Sequence, residues 1–175
     1  MSEDSELWPV IRIGDAYALR TFKAEDGRLV SIAKGGGHWG DGVCIATCLK
    51  HPDDPDHEVP VENCTCGVYA YWTVEELLDR YLEDARRMVA VIRMDGMTIE
   101  GDNGVKAKRA QIVAWWCAED ATELAEACVA GIPATRPDGD RNVVVRRYFD
   151  RDVMIGMFPP PSPEERNRGE ENQDG

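Results

Sequence analysis

The chain has 175 residues, of which 43% are hydrophobic and 30% are charged, a composition typical of a globular protein. This length predicts one domain with a core of its own. The net charge of −13 excludes non-specific binding to nucleic acid or to an anionic membrane surface, because both require an excess of lysine and arginine. No apolar stretch approaches the roughly 20 residues that a membrane-spanning helix requires.

The two ends of the chain are predicted to lie outside the folded domain. We expect residues 1–7 to form a flexible acidic N-terminus. This segment lacks the basic and apolar regions of a secretory signal, so we expect a cytoplasmic protein. Residues 159–175 are rich in proline and acidic residues and show no apolar period, which predicts a disordered tail. A single α+β domain is therefore expected over residues 8–158.

The first half of the chain predicts short strands followed by a helix. VIRIGDAYALRTF predicts two strands joined at Gly14-Asp15, and DGRLVSIA predicts a third that follows the turn at Asp26-Gly27. KGGGHWGDG has five glycines and predicts a loop, without the Lys-Ser/Thr pair of a phosphate-binding loop. GVYAYW predicts a strand that leads into the helix TVEELLDRYLEDARR, where Thr73 and Glu76 have the spacing of a capping box.

The second half predicts further strands and a second helix. MVAVIRM and MTIE are predicted strands separated by a turn at Asp95-Gly96. Asn103-Gly104 is a hairpin signal, after which VKAKRAQIVAWW predicts another strand. AEDATELAEACVAG predicts a helix that ends at Gly131, and NVVVRRYF predicts a last strand. Strands mixed with two main helices predict an α+β fold with a compact mixed or antiparallel sheet.

Four of the six cysteines lie within a short, loop-forming stretch that also contains two histidines. Thiolate and imidazole are the usual ligands of Zn²⁺, so we predict a Cys3His site formed by Cys48, His57, Cys64 and Cys66. Gly67 permits the kink that would let both thiolates of the Cys-Thr-Cys segment reach one ion. Four protein ligands close the coordination shell, so this zinc would support folding rather than catalysis.

Other interpretations of the same cysteines remain open. Cys44 and His51 are the substitutes if one of the four residues is not a ligand. A disulfide between Cys64 and Cys66 would be strained and is disfavoured in a reducing compartment. A reactive thiol requires a base and an electropositive setting, which this acidic stretch does not offer. Unmetallated cysteines beside solvated histidines remain the main alternative, and Cys117 and Cys128 are expected to be buried thiols of that kind.

The motif Cys-x-Cys-Gly-Val-Tyr-Ala resembles one found in a family of small actinobacterial and actinophage proteins without an assigned activity. The similarity extends over about residues 16–112, and Ala90 and Lys106 stand where that family usually has glycine and arginine. It implies a bacterial or phage setting, and it strengthens the zinc interpretation by analogy. The positions of the first block are Trp39, Gly40, Ala46, Cys48, His57, Pro60, Cys64, Cys66, Gly67, Val68, Tyr69 and Ala70, and the similarity continues at Val89, Ala90, Ile92, Met94, Gly96, Thr98, Gly104, Lys106, Ala107 and Ala110.

A weaker, architectural similarity is to ADP-ribosyltransferase-like folds, in which a strand containing Gly-x-Tyr precedes a helix. It implies that Tyr69 would stack on nicotinamide, that Arg20 would orient the ribose and that Glu100 would stabilise developing positive charge.

From the closed Cys3His set and the acidic composition, we expect a bacterial or phage accessory protein that has a structural zinc loop and binds an unidentified protein partner. The alternative is an ADP-ribosyltransferase-like NAD-binding enzyme, active or degenerate.

Overall fold

The computed structural model describes residues 10–13, 16–32, 38–162 and 164. It confirms the predicted α+β class, with a mostly antiparallel main sheet and helices packed against it. The expected flexible residues 1–7 and most of the expected disordered residues 159–175 lie outside the described part of the chain. Within that part, no helix is long and apolar enough to cross a membrane.

The described elements comprise eleven strands, four α-helices and one 3₁₀ turn at Gly40–Gly42. The strands are β1 (Val10–Ile13), β2 (Ala16–Arg20), β3 (Lys23–Glu25), β4 (Arg28–Val30), β5 (Val43–Ile45), β6 (Val68–Tyr71), β7 (Met88–Glu100), β8 (Gly104–Cys117), β9 (Thr135–Asp138), β10 (Arg141–Val144) and β11 (Arg146–Tyr148). The helices are α1 (Val74–Arg80), α2 (Leu82–Ala85), α3 (Thr122–Gly131) and α4 (Arg151–Met157).

The antiparallel hairpin of β7 and β8 organises the main sheet. β1 and β2 pair with the edge of β7 that faces away from β8. Leu19 of β2 also pairs with Tyr71 of β6, so β2, β7, β8 and β6 form a closed ring of paired strands. Three short strands pair in succession along the other edge of β8: β6 at residues 104–107, β5 at 109–111 and β11 at 114–116.

Both faces of the hairpin are buried, which explains why residues 88–92, MVAVI, form a continuous apolar run. Side chains alternate between the two faces along a strand. Ala90 and Ile92 therefore join a core that also contains Leu124 of α3, whereas Val91 joins a second core with Met154 of α4. Helices cover the sheet on both sides, with α1 and α2 contributing to the second core.

The structure corrects two predicted boundaries within the sheets. Asp95-Gly96 does not separate two strands, because β7 continues through it with an irregular register between Asp95 and Thr98. Gly96 has a φ of 75°, which lets the strand absorb the extra residues as a bulge. The single strand predicted from NVVVRRYF is also wrong, since β10 pairs with β9 whereas β11 pairs with β8.

The helices are partly as predicted. The capping box is confirmed, because Thr73 and Glu76 exchange hydrogen bonds of 3.1 and 3.2 Å between side chain and main-chain amide. The predicted long helix is interrupted at Tyr81, whose φ of −136° and ψ of 58° separate α1 from α2. Helix α4 was missed, although the side chain of Asp150 caps it by accepting a bond from the Val153 amide.

A buried arginine fastens the β9–β10 hairpin to the main sheet. Arg136, which is 5% exposed, donates to the Gln111 side-chain oxygen at 2.9 Å and to the main-chain oxygen of Ile112 at 3.2 Å. It also donates to the main-chain oxygen of Asp41 at 2.7 Å, which links the hairpin to the turn before β5. Asp138 adds an ion pair with Arg93 of β7.

Candidate metal centre

The candidate metal loop, residues 46–67, connects two strands that pair with the same edge of β8. β5 pairs with residues 109–111 and β6 with residues 104–107, so both ends of the loop meet at one place on the sheet. The amide of Ala46 continues this pairing by donating to the main-chain oxygen of Lys108 at 2.7 Å. Cys48 and Cys66, near the two ends of the loop, are thereby brought close together.

The structure brings the four predicted ligand residues into one cluster. The sulfurs of Cys48, Cys64 and Cys66 and a ring nitrogen of His57 all lie within 4.8 Å of one another. Cys48 Sγ is 3.6 Å from Cys64 Sγ, and Cys66 Sγ is 3.5 Å from His57 Nε2. These are the donor types and separations of a metal site, so the cluster could hold a metal ion.

The observed separations can be compared with those of a tetrahedral zinc site. Zinc–sulfur bonds of about 2.3 Å and zinc–nitrogen bonds of about 2.0 Å place two sulfurs about 3.8 Å apart, and a sulfur and a nitrogen about 3.5 Å apart. The Cys48–Cys64 and Cys66–His57 distances of 3.6 and 3.5 Å are close to these values. An ion of that size would therefore require little movement of the side chains.

The thiols of the cluster differ in burial and in acidity. Cys48 and Cys66 are buried, whereas Cys64 and His57 are half-buried on the outer side of the cluster. A hydrogen bond from the main-chain amide of Cys66 is the main cause that lowers the pKa of Cys64 to about 6. Burial raises the pKa of Cys66. Cys64 is thus available as a thiolate at neutral pH, whereas Cys66 would release its proton on binding a metal.

A lysine of the sheet holds the metal loop in place. The ammonium of Lys106, which is 8% exposed, donates to the main-chain oxygens of Val61 at 2.5 Å and of Cys64 at 2.6 Å. It also lies 5.8 Å from the centre of the Tyr69 ring. The sequence placed Lys106 in a strand and gave no sign of this role, because its acceptors are loop carbonyl groups distant in the chain.

The kink expected at Gly67 is confirmed. Its φ is 116°, a value that residues with a side chain rarely adopt. A Cβ at this position would lie 3.3 Å from the Cβ of Lys106 and 3.4 Å from the main-chain oxygen of Ala107. Glycine therefore lets the chain turn from Cys66 into β6 directly against β8.

The two substitute ligands lie in different places. Cys44 belongs to β5, is 1% exposed within the core and is not part of the cluster, and burial raises its pKa. His51 is exposed beside the cluster, with its Nδ1 atom 3.6 Å from the sulfur of Cys48. Its ring stacks on that of His57 with centroids 4.3 Å apart, so it covers a ligand without belonging to the group of four.

The residues implied by the similarity to ADP-ribosyltransferases do not converge. Tyr69 and Glu100 both border a cleft of about 320 Å³ near the end of the β7–β8 hairpin. In the strand register, however, Tyr69 pairs with Lys106 of β8, whereas Glu100 pairs with Val105, the residue that precedes Lys106. Because successive side chains of a strand point to opposite faces, the Tyr69 ring and the Glu100 carboxylate lie on opposite sides of the sheet.

The Arg20 guanidinium packs against core aromatic rings and does not border the cleft beside Tyr69. It lies 5.5 Å from the Phe22 ring centre and 5.3 Å from that of Trp39, two residues of the core. It donates to the main-chain oxygen of Tyr69 at 2.5 Å and to Ser31 Oγ at 3.0 Å, and it does not line the cleft. The arrangement therefore offers no nicotinamide site formed jointly by these three residues.

The resemblance to actinobacterial and phage proteins stays a prediction. No protein-family model, curated protein or solved structure matches this chain.

Proposed function

We propose that Cys48, His57, Cys64 and Cys66 bind one Zn²⁺ as a structural ion that fixes the metal loop against β8. The observation that carries this proposal is the close approach of four soft or borderline donors, with separations of 3.5 and 3.6 Å between two of the pairs. Thiolates and imidazole favour zinc over the harder cations that prefer oxygen. Four protein donors leave no position for a substrate, so the ion supports folding.

Metal content of protein purified without chelator tests this proposal. We expect about one zinc per chain in the wild type and a loss of zinc, with a lower melting temperature, in Cys64→Ser. Cys117→Ser is the matched control, since Cys117 is also half-buried but lies outside the cluster. Full zinc content in Cys64→Ser, or none in the wild type grown with added zinc, would contradict the proposal.

A measurement on the wild type covers the case in which Cys64→Ser does not fold. Adding a strong chelator should release the zinc, as read by a colorimetric indicator, and lower the melting temperature. Adding zinc back should restore the melting temperature. An unchanged melting temperature after complete release would show that the ion is not structural.

We further propose that the protein acts by binding another protein in the cytoplasm of a bacterium or of a phage-infected bacterium. Free thiols persist most readily in a reducing compartment such as the cytoplasm, which supports this setting. Ile45 and Leu49, on either side of Cys48, are 60% and 73% exposed. Both line a groove of about 1240 Å³ between β5, β4 and the metal loop. Exposed apolar side chains beside a fixed loop are suited to contact with a partner.

A capture experiment with matched variants tests the partner proposal. The wild type, Leu49→Asp and Val129→Asp would each be immobilised and exposed to the same actinobacterial lysate. Val129 is 65% exposed on α3 and does not line the groove. We expect one protein to be retained by the wild type and Val129→Asp, but not by Leu49→Asp or after zinc removal. Equal retention by all samples would contradict a role for the groove, and no retained protein would contradict the partner.

A further inference from the structure

Two sulfurs of the candidate metal centre lie close enough for a bond to form between them. Cys48 Sγ is 3.6 Å from Cys64 Sγ, and a disulfide bond of about 2 Å would bring the two sulfurs nearer by about 1.6 Å. The two cysteines are 16 residues apart in the chain, so local sequence does not hold them together. The fold of the metal loop therefore creates this pair of thiols.

The two thiols differ in their access to solvent. Cys64 is half-buried on the outer side of the cluster. Cys48 is buried, and the exposed His51 lies beside it with Nδ1 3.6 Å from the Cys48 sulfur. Because the susceptibility of a thiol to oxidation follows its exposure, a small oxidant in solution reaches Cys64 first.

Strand β8 holds both cysteines in place. The acidic composition of this stretch argued against a reactive thiol, but the structure places the buried ammonium of Lys106 2.6 Å from the main-chain oxygen of Cys64. The amide of Ala46, two residues before Cys48, donates to the main-chain oxygen of Lys108 at 2.7 Å. Since both segments are fixed to one strand, one thiol can attack the other without a search through many conformations.

Cys48 is better placed than the other cysteines near the loop to bond with Cys64. Cys66 is separated from Cys64 by one residue, and a disulfide at that spacing would be strained. The Cys66 sulfur is also 3.5 Å from His57 Nε2. Cys44 lies outside the cluster, in the main core. The geometry therefore selects Cys48 as the partner of Cys64.

We propose that Cys64 and Cys48 are a site of oxidative modification, at which a peroxide forms a reversible disulfide and thereby releases the zinc. The Cys64 sulfur attacks one peroxide oxygen, the O–O bond breaks, and Cys64 becomes a sulfenic acid while the other oxygen leaves with the Cys64 proton as water or an alcohol. The Cys48 sulfur then attacks the Cys64 sulfur, the S–S bond forms, and the hydroxyl leaves with the Cys48 proton as water. Two electrons pass from the two sulfurs to the peroxide, and a thiol reductant reverses the change by exchange.

The release of zinc rests on the proposed function, whereas the formation of the disulfide does not. In the zinc-loaded protein the two sulfurs are thiolates, so the two protons come from solvent. The disulfide leaves only His57 and Cys66 of the group of four as donors, too few for a structural zinc site. Cys48, Cys66 and Val59 form a small apolar cluster apart from the two cores of the main sheet, so loss of the ion affects the loop rather than the sheet.

Peptide mapping of zinc-loaded protein after peroxide treatment tests the proposal. Once free thiols are blocked, trypsin leaves Cys48 in residues 35–50 and Cys64 in residues 51–80. We expect these two peptides to be joined, with fragmentation placing the bond between Cys48 and Cys64, and to separate again with a thiol reductant. A colorimetric indicator should record about one Zn²⁺ released for each disulfide formed. A bond through Cys44 or Cys66 instead would overturn the proposal.

Treatment of metal-free protein keeps the two proposals separable. The disulfide should also form without the ion, because the reaction takes place between the two sulfurs and the peroxide. A protein that binds no zinc but forms the Cys48–Cys64 disulfide would contradict the proposed function and support this inference. A protein that binds zinc but forms no such disulfide, with or without the ion, would overturn this inference and leave the proposed function standing.

Two variants separate the steps of the reaction. In Cys48→Ala, dimedone should trap Cys64 as a sulfenic acid, and residues 35–50 and 51–80 should stay unjoined. In Cys64→Ala, oxidation of Cys48 should be slower than that of Cys64 in the wild type by roughly tenfold or more, because Cys48 is buried. Oxidation of Cys48 in Cys64→Ala as fast as that of Cys64 in the wild type would overturn the role of Cys64 as the site of attack.

Cys117→Ala is the matched control for both variants. Cys128 is fully buried as expected, but Cys117 is half-buried, as Cys64 is, and lies outside the cluster. We expect Cys117→Ala to form the Cys48–Cys64 disulfide at the rate of the wild type. A loss of that disulfide in Cys117→Ala would overturn the proposal, since it would assign the first attack to a thiol outside the metal loop.

Discussion

The ammonium of Lys106 donates a hydrogen bond to the main-chain oxygen of Cys64 across 2.6 Å, so a residue of β8 holds the segment that carries a candidate metal ligand. The same ammonium also bonds to Val61 and lies 3.4 Å from the main-chain oxygen of Glu62. Because three loop carbonyls meet one buried charge, the conformation of the metal loop depends on this side chain.

We expect Lys106→Met to weaken zinc binding by roughly 10- to 100-fold, as does the loss of partners that orient metal ligands in other sites. It should also lower the free energy of unfolding by about 1–3 kcal/mol, because buried carbonyls lose their donor. Competition with a chelator and urea unfolding measure the two effects. Lys108→Met is the control, since Lys108 is exposed. Equal zinc affinities in Lys106→Met and the wild type would contradict the role of Lys106.

Gly67→Ala should destabilise the protein by about 1–3 kcal/mol and weaken zinc binding, because a side chain strains the backbone at a φ of 116°. Gly139→Ala is the matched control. Gly139 has a φ of 60°, within the left-handed region that side chains tolerate better, and an added Cβ there meets no atom within 4 Å. Thermal unfolding with and without zinc measures the difference, and a Gly67→Ala protein as stable as Gly139→Ala would contradict the prediction.

Gly104→Ala should disrupt the pairing of β6 with β8. A Cβ at Gly104 would lie 2.2 Å from the main-chain oxygen of Ala70, a distance that forces the strands apart. Gly101→Ala, in the same turn, places its Cβ 3.7 Å from the nearest atom, which is ordinary contact. We therefore expect a loss of about 2 kcal/mol or more for Gly104→Ala and less than about 1 kcal/mol for Gly101→Ala. Equal midpoints in urea would show that the strands can adjust.

The ion pair between Asp138 and Arg93 should make stability depend on pH. The hydrogen bond that Asp138 accepts from Arg93 holds the pKa of the Asp138 carboxyl below its ordinary value of 3.8. A lowered pKa in the folded state contributes stability that is present above the ordinary pKa and lost as the pH falls through the folded-state pKa. The wild type should therefore exceed Asp138→Asn in stability at neutral pH, and the difference should shrink in acid.

The exposed neighbour Asp140→Asn is the control for this pH series. It belongs to the same hairpin turn but forms no ion pair with Arg93 among the described residues. Urea unfolding at neutral pH and at a pH below 3.8 gives the comparison for both variants. A difference between the wild type and Asp138→Asn that stays constant with pH would contradict the role of the ion pair.

The sequence correctly predicted the features that depend on interactions between residues close together in the chain. The Thr73–Glu76 capping box fixes a helix start, and the hairpin signal at Asn103-Gly104 marks where β8 begins. The features it missed depend on distant contacts or weak propensity. Helix α4 contains Gly156 and β-branched residues, which are poor helix formers, and its stability comes from Met154 in the core.

The candidate metal site was likewise predicted only where local sequence determines it. The choice of Cys48, His57, Cys64 and Cys66 followed from residue type and spacing in a loop, and the structure brings these residues together. Their approach depends on the pairing of both β5 and β6 with one edge of β8, which no local pattern reveals. Lys106 was overlooked for the related reason that a lysine in a strand ordinarily points to solvent.

The pairing of three short strands along one edge of β8 has a consequence for synthesis on the ribosome. The metal loop and its flanking strands are translated before β8, and Cys66 leaves the peptidyl-transferase centre forty residues ahead of Lys106. The nascent loop therefore has its thiols and imidazole but lacks the strand that brings its two ends together. Capture of the proposed ion in its final geometry would have to wait until β8 has emerged from the exit tunnel, so the candidate metal centre would be completed late in translation.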